Sequence, residues 1–204
     1  MSVSVRCSDP DYSPRPFFIQ SLIFPVIFMP HMILTKDVYL NTALSVILQQ
    51  VSHASKICVV DIESFRSLGA IFRLLKRRKL TDNHRLIFIG GKDITSRILV
   101  PLVTINRKSC FLEFRKQLAE GKTFSSEYSL RHITRCRSLS LLTAQEKRTL
   151  FTLLDTGDIR AAARKIYLSP KTVYTYTSYI GQKLNLSSAL QVRLFIFTEF
   201  VLDA

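Results

Sequence analysis

Residues 169–184 read SPKTVYTYTSYIGQKL, and the fold of the chain turns on whether they form a strand or a helix. β-Branched and aromatic residues fill the stretch, and these are poor helix formers by propensity. Its first two residues argue the other way. Ser169 can accept from the free amides of a first helical turn, and Pro170 brings a φ already suited to the first helical position, where its missing N–H costs nothing. That start signal predicts a helix, and the helical wheel divides it. Val173, Ile180 and Leu184, with Tyr176 or Thr177 between them, make one inward stripe. Lys171, Tyr174, Thr175 and Ser178 fall together on the opposite face.

The residues before this helix supply its partners. Thr143-Ala-Gln-Glu146 spells a capping box, in which the Thr143 hydroxyl accepts from the first turn and Glu146 reaches back to the cap. The helix it opens carries Leu150, Leu153 and Leu154 inward and stops at Gly157. Asp158 can cap a second helix, whose Ala161, Ala162 and Ala163 permit close approach of a neighbour. Leu168 and Ser169 then form a short turn into the opening stretch. Two helices joined this way predict a helix-turn-helix, whose second helix enters a major groove with its N-terminal half. Lysine, phenol and hydroxyl groups on its outer face can donate to base acceptors, touch thymine methyls or bond phosphate oxygens.

Upstream, as far as about residue 121, short apolar runs alternate with helical stretches, which predicts a parallel α/β layer fold. Strands are expected at 3–7, 31–35, 56–61, 85–89 and 102–105, and helices at 17–24, 41–50, 65–79, 94–99 and 111–120. These make five strand-helix pairs. KICVVD at 56–61 and RLIFI at 85–89 are short, rich in β-branched or bulky apolar residues and bounded by polar residues or glycines, and their continuous apolar centres predict burial on both faces. Lys76, Arg77, Arg78 and Lys79 end the third helix, where they suit its dipole and read as a solvated helix end. Residues 122–138 are polar, basic and serine-rich and are read as a linker. The chain thus divides into an α/β domain over 1–121, a linker over 122–138 and an all-α domain of four helices over 139–204.

Composition narrows the partners. The 204 residues carry a formal net charge of +14 with 47% hydrophobic residues, so the chain can fold and a polyanion, nucleic acid first, is the expected partner. The four cysteines, Cys7, Cys58, Cys110 and Cys136, show neither metal-ligand nor disulfide spacing. No nucleophile, base or metal constellation appears, so neither an enzyme nor a cofactor is expected. Residues 17–34 are apolar, but Gln20, Pro25, Pro30 and His31 interrupt them, which argues against a membrane span. A cytoplasmic protein is expected.

Residues 141–191 resemble the C-terminal DNA-binding domain of the LuxR, NarL and FixJ type. Leu142-Thr143, Glu146, Leu150, Gly157, Ala163, Ser169, Lys171-Thr172-Val173, Ile180 and Lys183-Leu184 stand where that pattern expects them. The resemblance implies a transcription regulator of double-stranded DNA, with Ser169, Lys171, Thr172, Tyr174, Thr175, Tyr176, Ser178 and Lys183 as its contacts. Tyr174 and Ser178 occupy positions that are often basic, and Tyr176 the usual histidine, so fewer counterions would be released on binding. The apolar last helix matches one that pairs such domains, which implies association with itself or with another response regulator, and RNA polymerase is a further expected partner. Regulators of this kind often govern surface structures such as fimbriae.

The N-terminal half is similar to the receiver domain of response regulators, with Asp61 at the phosphate-accepting position. Its surroundings depart from that family. The acidic pair is reduced to Asp9-Pro10 with Asp11 one step on, Gly90 or Gly91 replaces a hydroxyl residue, and Ile105 or Asn106 replaces the lysine, with Arg107 and Lys108 out of register. Phosphoryl transfer depends on Mg²⁺ and a cation to offset developing charge, so action without phosphorylation is expected. The alternative is an antagonist that sequesters another regulator without binding DNA.

Overall fold

The computed structural model describes residues 31–50, 56–78, 80 and 84–202. The expected strand at 3–7, the expected helix at 17–24, Cys7 and the acidic pair at Asp9 and Asp11 lie outside these residues. Four strands, β1 (Met32–Leu34), β2 (Lys56–Asp61), β3 (His84–Gly90) and β4 (Val103–Asn106), pair in chain order and all run parallel. Helices α1 (Val38–Gln50), α2 (Leu68–Arg77), α3 (Ile94–Ile98) and α4 (Phe111–Glu120) follow them in turn. α2 begins three residues later than its apolar stripe suggests, because Ser67 caps it by accepting from the Ala70 amide at 3.0 Å.

Alternation along the strands divides the core. Cys58, Val60, Leu86 and Phe88 face α2 and α3, while Ile57, Val59, Ile87 and Ile89 face α1 and α4. Since the strands lie in chain order, helices on opposite faces give the β1–α1–β2 connection the opposite hand to the two that follow. Continuous apolarity in β2 and β3 follows from this two-sided cover. Burial also explains two thiols: it pushes Cys58 up to about 12 and Cys136 up to about 11, each against a nearby arginine.

The stretch read as a linker is ordered structure instead. Phe124–Ser125 forms β5, the fifth strand of the sheet, antiparallel to β3, and Ser126–Arg137 forms α5. Ser125 caps α5 through the Tyr128 amide at 3.2 Å. Its inward stripe is Ser126, Ser129, Ile133 and Cys136, two of them serines, so the helical period is hidden in a polar composition. Among the described residues the sheet therefore has five strands, four parallel and one antiparallel.

Four helices follow among the described residues: α6 (Ala144–Thr156), α7 (Ile159–Lys165), α8 (Pro170–Lys183) and α9 (Ala189–Phe197), the last running into a π-helical turn at Thr198–Leu202. One hydrophobic cluster runs through both halves, from Leu34, Leu68 and Phe88 to Ile133, Leu150, Ile180 and Ile196. Glu199, in the π-helical turn and 3% exposed, closes the contact. Its carboxylate accepts from the Leu68 amide, the first of α2, at 2.9 Å and from Arg137 Nε at 2.6 Å. Replacing Glu199 with Ala leaves a helix-start amide and a guanidinium without this acceptor. A loss of about 2–3 kcal/mol is expected in urea unfolding, as for hydrogen bonds to a buried charge.

Candidate nucleic-acid interface

The capping box at Thr143 forms as the sequence implies. Glu146 donates its amide to Thr143 Oγ1 at 3.2 Å, and its carboxylate accepts from the Thr143 amide at 2.7 Å. The same carboxylate, almost fully buried, accepts from Lys183 Nζ at 2.7 and 2.8 Å. One side chain thus starts α6 and anchors the end of α8. Burial would raise the Glu146 carboxyl, but the Lys183 hydrogen bond and those from Thr143 outweigh it and hold the group below its ordinary value.

α7 is capped by Asp158, which accepts from the Ala161 amide at 2.8 Å, and its buried Ala162 and Ala163 let α8 pack against it. The turn between them closes with the Leu168 amide donating to the Ala163 carbonyl at 2.9 Å. This wrap requires a left-handed residue, and Tyr167 takes that conformation at φ 58° with its side chain 90% exposed. Ser169 then caps α8, accepting from the Thr172 amide at 3.0 Å, with Pro170 in the first turn.

The wheel of α8 is as the sequence divides it. Val173, Thr177 and Ile180 are buried, Leu184 is buried just beyond the helix, and Lys171, Tyr174, Thr175 and Ser178 are exposed. The inward choice between Tyr176 and Thr177 falls on Thr177, whose hydroxyl donates to the Val173 carbonyl at 2.9 Å. Tyr176 is half-buried at the margin. Among the eight candidate contacts, Lys171, Tyr174, Thr175 and Ser178 share one open face. Ser169 and Thr172 sit at the helix start with their hydroxyls 2.8 Å apart. Lys183 is the exception, its ammonium already engaged by Glu146.

Asp61 lies at the end of β2, fully buried, and is surrounded by donors. Thr35 Oγ1 donates to it at 2.7 Å, Ser64 Oγ at 2.6 Å and Arg107 Nη1 at 3.1 Å to each oxygen. Arg107 also reaches Asp37 at 2.6 Å and Glu63 at 3.5 Å. One guanidinium therefore draws in three carboxylates. The sequence places Arg107 out of register, yet the turn after β4 brings it to Asp61, and Asp37 is the nearby acid that sequence reading missed. Gly91 makes room for this cluster, since a Cβ there would lie 1.9 Å from Glu63 Oε1. Among the described residues, no group of three or more metal-ligating side chains is placed to hold an ion. No described helix is long and apolar enough to cross a membrane.

A mostly parallel sheet with helices on both faces, followed by a helix-turn-helix unit, is the architecture of response regulators that join a receiver domain to a DNA-binding domain. Solved structures bear this out at the level of fold. The two-component response regulator RcsB in complex with DNA matches with a TM-score of 0.56 and 14% identity, covering 82% of this chain and 97% of that one. RcsB from Salmonella enterica serovar Typhimurium bound to promoter P1flhDC with a phosphomimetic matches with a TM-score of 0.57 and 13% identity, over 82% and 97% of the two chains. Two RcsB dimers bound to two parallel DNAs match with a TM-score of 0.52 and 12% identity, again over 82% and 97%. These neighbours are LuxR/NarL-type response regulators. No protein-family model matches the sequence, and no curated protein does.

Glu146 gives the contact between α6 and α8 a defined acid response. Its carboxyl is held below its unfolded value, so its stabilisation is complete above that value and is lost as the pH falls through the folded one. Glu146→Gln is therefore expected to flatten the fall in stability on acidification below about pH 5, read from urea midpoints at successive pH values.

Proposed function

We propose that the protein is a transcription regulator that reads double-stranded DNA with the outer face of α8. The observation that carries this is the open set of Lys171, Tyr174, Thr175 and Ser178 on a helix fixed from behind by Val173, Thr177 and Ile180. The structural neighbours on DNA support the same use of this fold. Such a protein works in the cytoplasm and is not an enzyme. Promoters of surface-structure genes, fimbriae among them, are the first targets to test, and RNA polymerase is a partner to test with them.

Lys171→Ala with Tyr174→Ala tests the reading without disturbing the fold, because both side chains are exposed. Lys183→Ala would not, since it removes the partner of a buried carboxylate. Against duplexes selected from the genome by footprinting, the double variant is expected to bind at least about 10-fold more weakly, the scale of one or two base contacts. Unchanged affinity and site preference would sink the reading.

Self-association is proposed through α9 and the turn after it. Leu190, Leu194, Phe197 and Val201 recur at steps of four, three and four, and all are exposed. That spacing is a helix-pairing stripe. The same stripe favours the second reading, an antagonist that captures another regulator. A protein that binds no duplex at low salt, alone or with a response regulator, would favour capture.

The third element is independence from phosphorylation. Asp61 has no exposed surface and its oxygens are already bonded, with Arg107 supplying the cation in place. Incubation with acetyl phosphate and Mg²⁺ is expected to leave the intact mass unchanged. A phosphoryl adduct that disappears in Asp61→Asn would overturn this.

A further inference from the structure

The positive charge of this chain does not lie where the bases would be read. Residues 139–204 carry a net charge of only +3, whereas residues 1–138 hold 21 of the 29 lysines and arginines against 10 of the 15 acids, a net +11. α8 itself offers two lysines, one of which is bonded to Glu146. Phosphate contacts supply most of the affinity in protein–DNA binding, so the reading helix is short of the charge its task needs.

That charge is gathered on the other half. α2 contains no acidic residue, and the single carboxylate of α5, Glu127, pairs with Arg131. The two helices pack together: Lys76 lies 5.3 Å and Arg137 5.5 Å from the centroid of the Phe72 ring. Around them Lys76, Arg77, Arg78, Arg85, Lys122 and Arg135 are exposed, and among the described residues none makes an ion pair. Arg85 is brought beside β5 by its pairing with Ser125. Aromatic rings are interleaved with these cations. Lys122 sits 5.1 Å from the centroid of Phe124, which stacks on Tyr128 at 5.6 Å, and Tyr128 on His132 at 6.4 Å. An ordinary solvated face mixes both signs. Six unpaired cations on adjoining elements repel one another, and a polyanion is the ligand that offsets this.

We propose that the α2/α5 face is a second nucleic-acid contact, which holds duplex phosphates while α8 reads bases. Lys76 to Arg78 are then part of a binding surface and not only a helix end. The inference rests on the proposed function for the nature of its ligand, but not for sequence reading.

The test is the salt dependence of binding to a duplex of random sequence. Wild type, the Lys171→Ala/Tyr174→Ala variant and an Arg77→Ala/Arg78→Ala/Arg135→Ala variant are compared, with folding checked by thermal melting. The triple variant is expected to lower the log–log salt slope by about 2–3, at ~0.9 for each phosphate no longer neutralised, and to weaken random and selected duplexes alike. The Lys171/Tyr174 variant is expected to keep most of its random-duplex binding. A triple variant with the wild-type slope and affinity overturns the inference and leaves the proposed function standing. Wild type that binds random duplex through this face but selects no sequence sinks the proposed function and leaves the inference standing. Wild type that binds no random duplex at low salt overturns the inference, and an acidic protein surface then becomes the partner to seek.

Discussion

Glu199 makes the two halves one structure. It belongs to the π-helical turn at Thr198–Leu202, yet it supplies the acceptor for the first amide of α2 and for Arg137 at the end of α5. Three segments far apart in sequence meet on a carboxylate with almost no solvent contact, and the hydrophobic cluster continues across the same boundary. A buried charge is tolerated only when its hydrogen bonds are made. Glu199 thus joins the shared hydrophobic cluster and the Arg97–Ser187 hydrogen bond in holding the helix-turn-helix unit against the sheet half.

A second ionic cluster forms around Arg107 at the end of β2. Phosphoryl transfer depends on cations that offset the charge developing at the reacting group. Here a guanidinium is built in, shared among Asp37, Asp61 and Glu63, and two hydroxyls take up what remains of Asp61. The pocket is closed by the chain's own residues. Asp61 is therefore held by donors from three separate segments of the chain.

The helical end of the chain was the most legible part of the sequence. Caps and stops in that region are local: Thr143 with Glu146, Gly157 in the left-handed region at φ 72°, Asp158 and Ser169 all act within four residues of where they stand. β2 and β3 were legible because two-sided burial leaves their centres, 57–60 and 86–89, wholly apolar. α5 was not, because its inward stripe uses serines small enough to pack and polar enough to hide. The candidate face of α8 was legible to the extent that one helix wheel separates its exposed residues from its buried ones. Lys183 was misleading, since its partner lies 37 residues away. Arg107 and Glu199 gave no local signal either, as long-range ion pairs leave no period in a sequence.

Tyr167 carries a different lesson. The left-handed conformation suits glycine or asparagine, and a tyrosine there costs on the order of 1 kcal/mol. Its ring is turned to solvent, so no packing within the fold offsets that strain. The turn that leads into α8 therefore carries a bulky phenol where a smaller residue would fit the backbone better. Folding alone gives no reason for the phenol, so its worth is to be sought in what the outer surface meets.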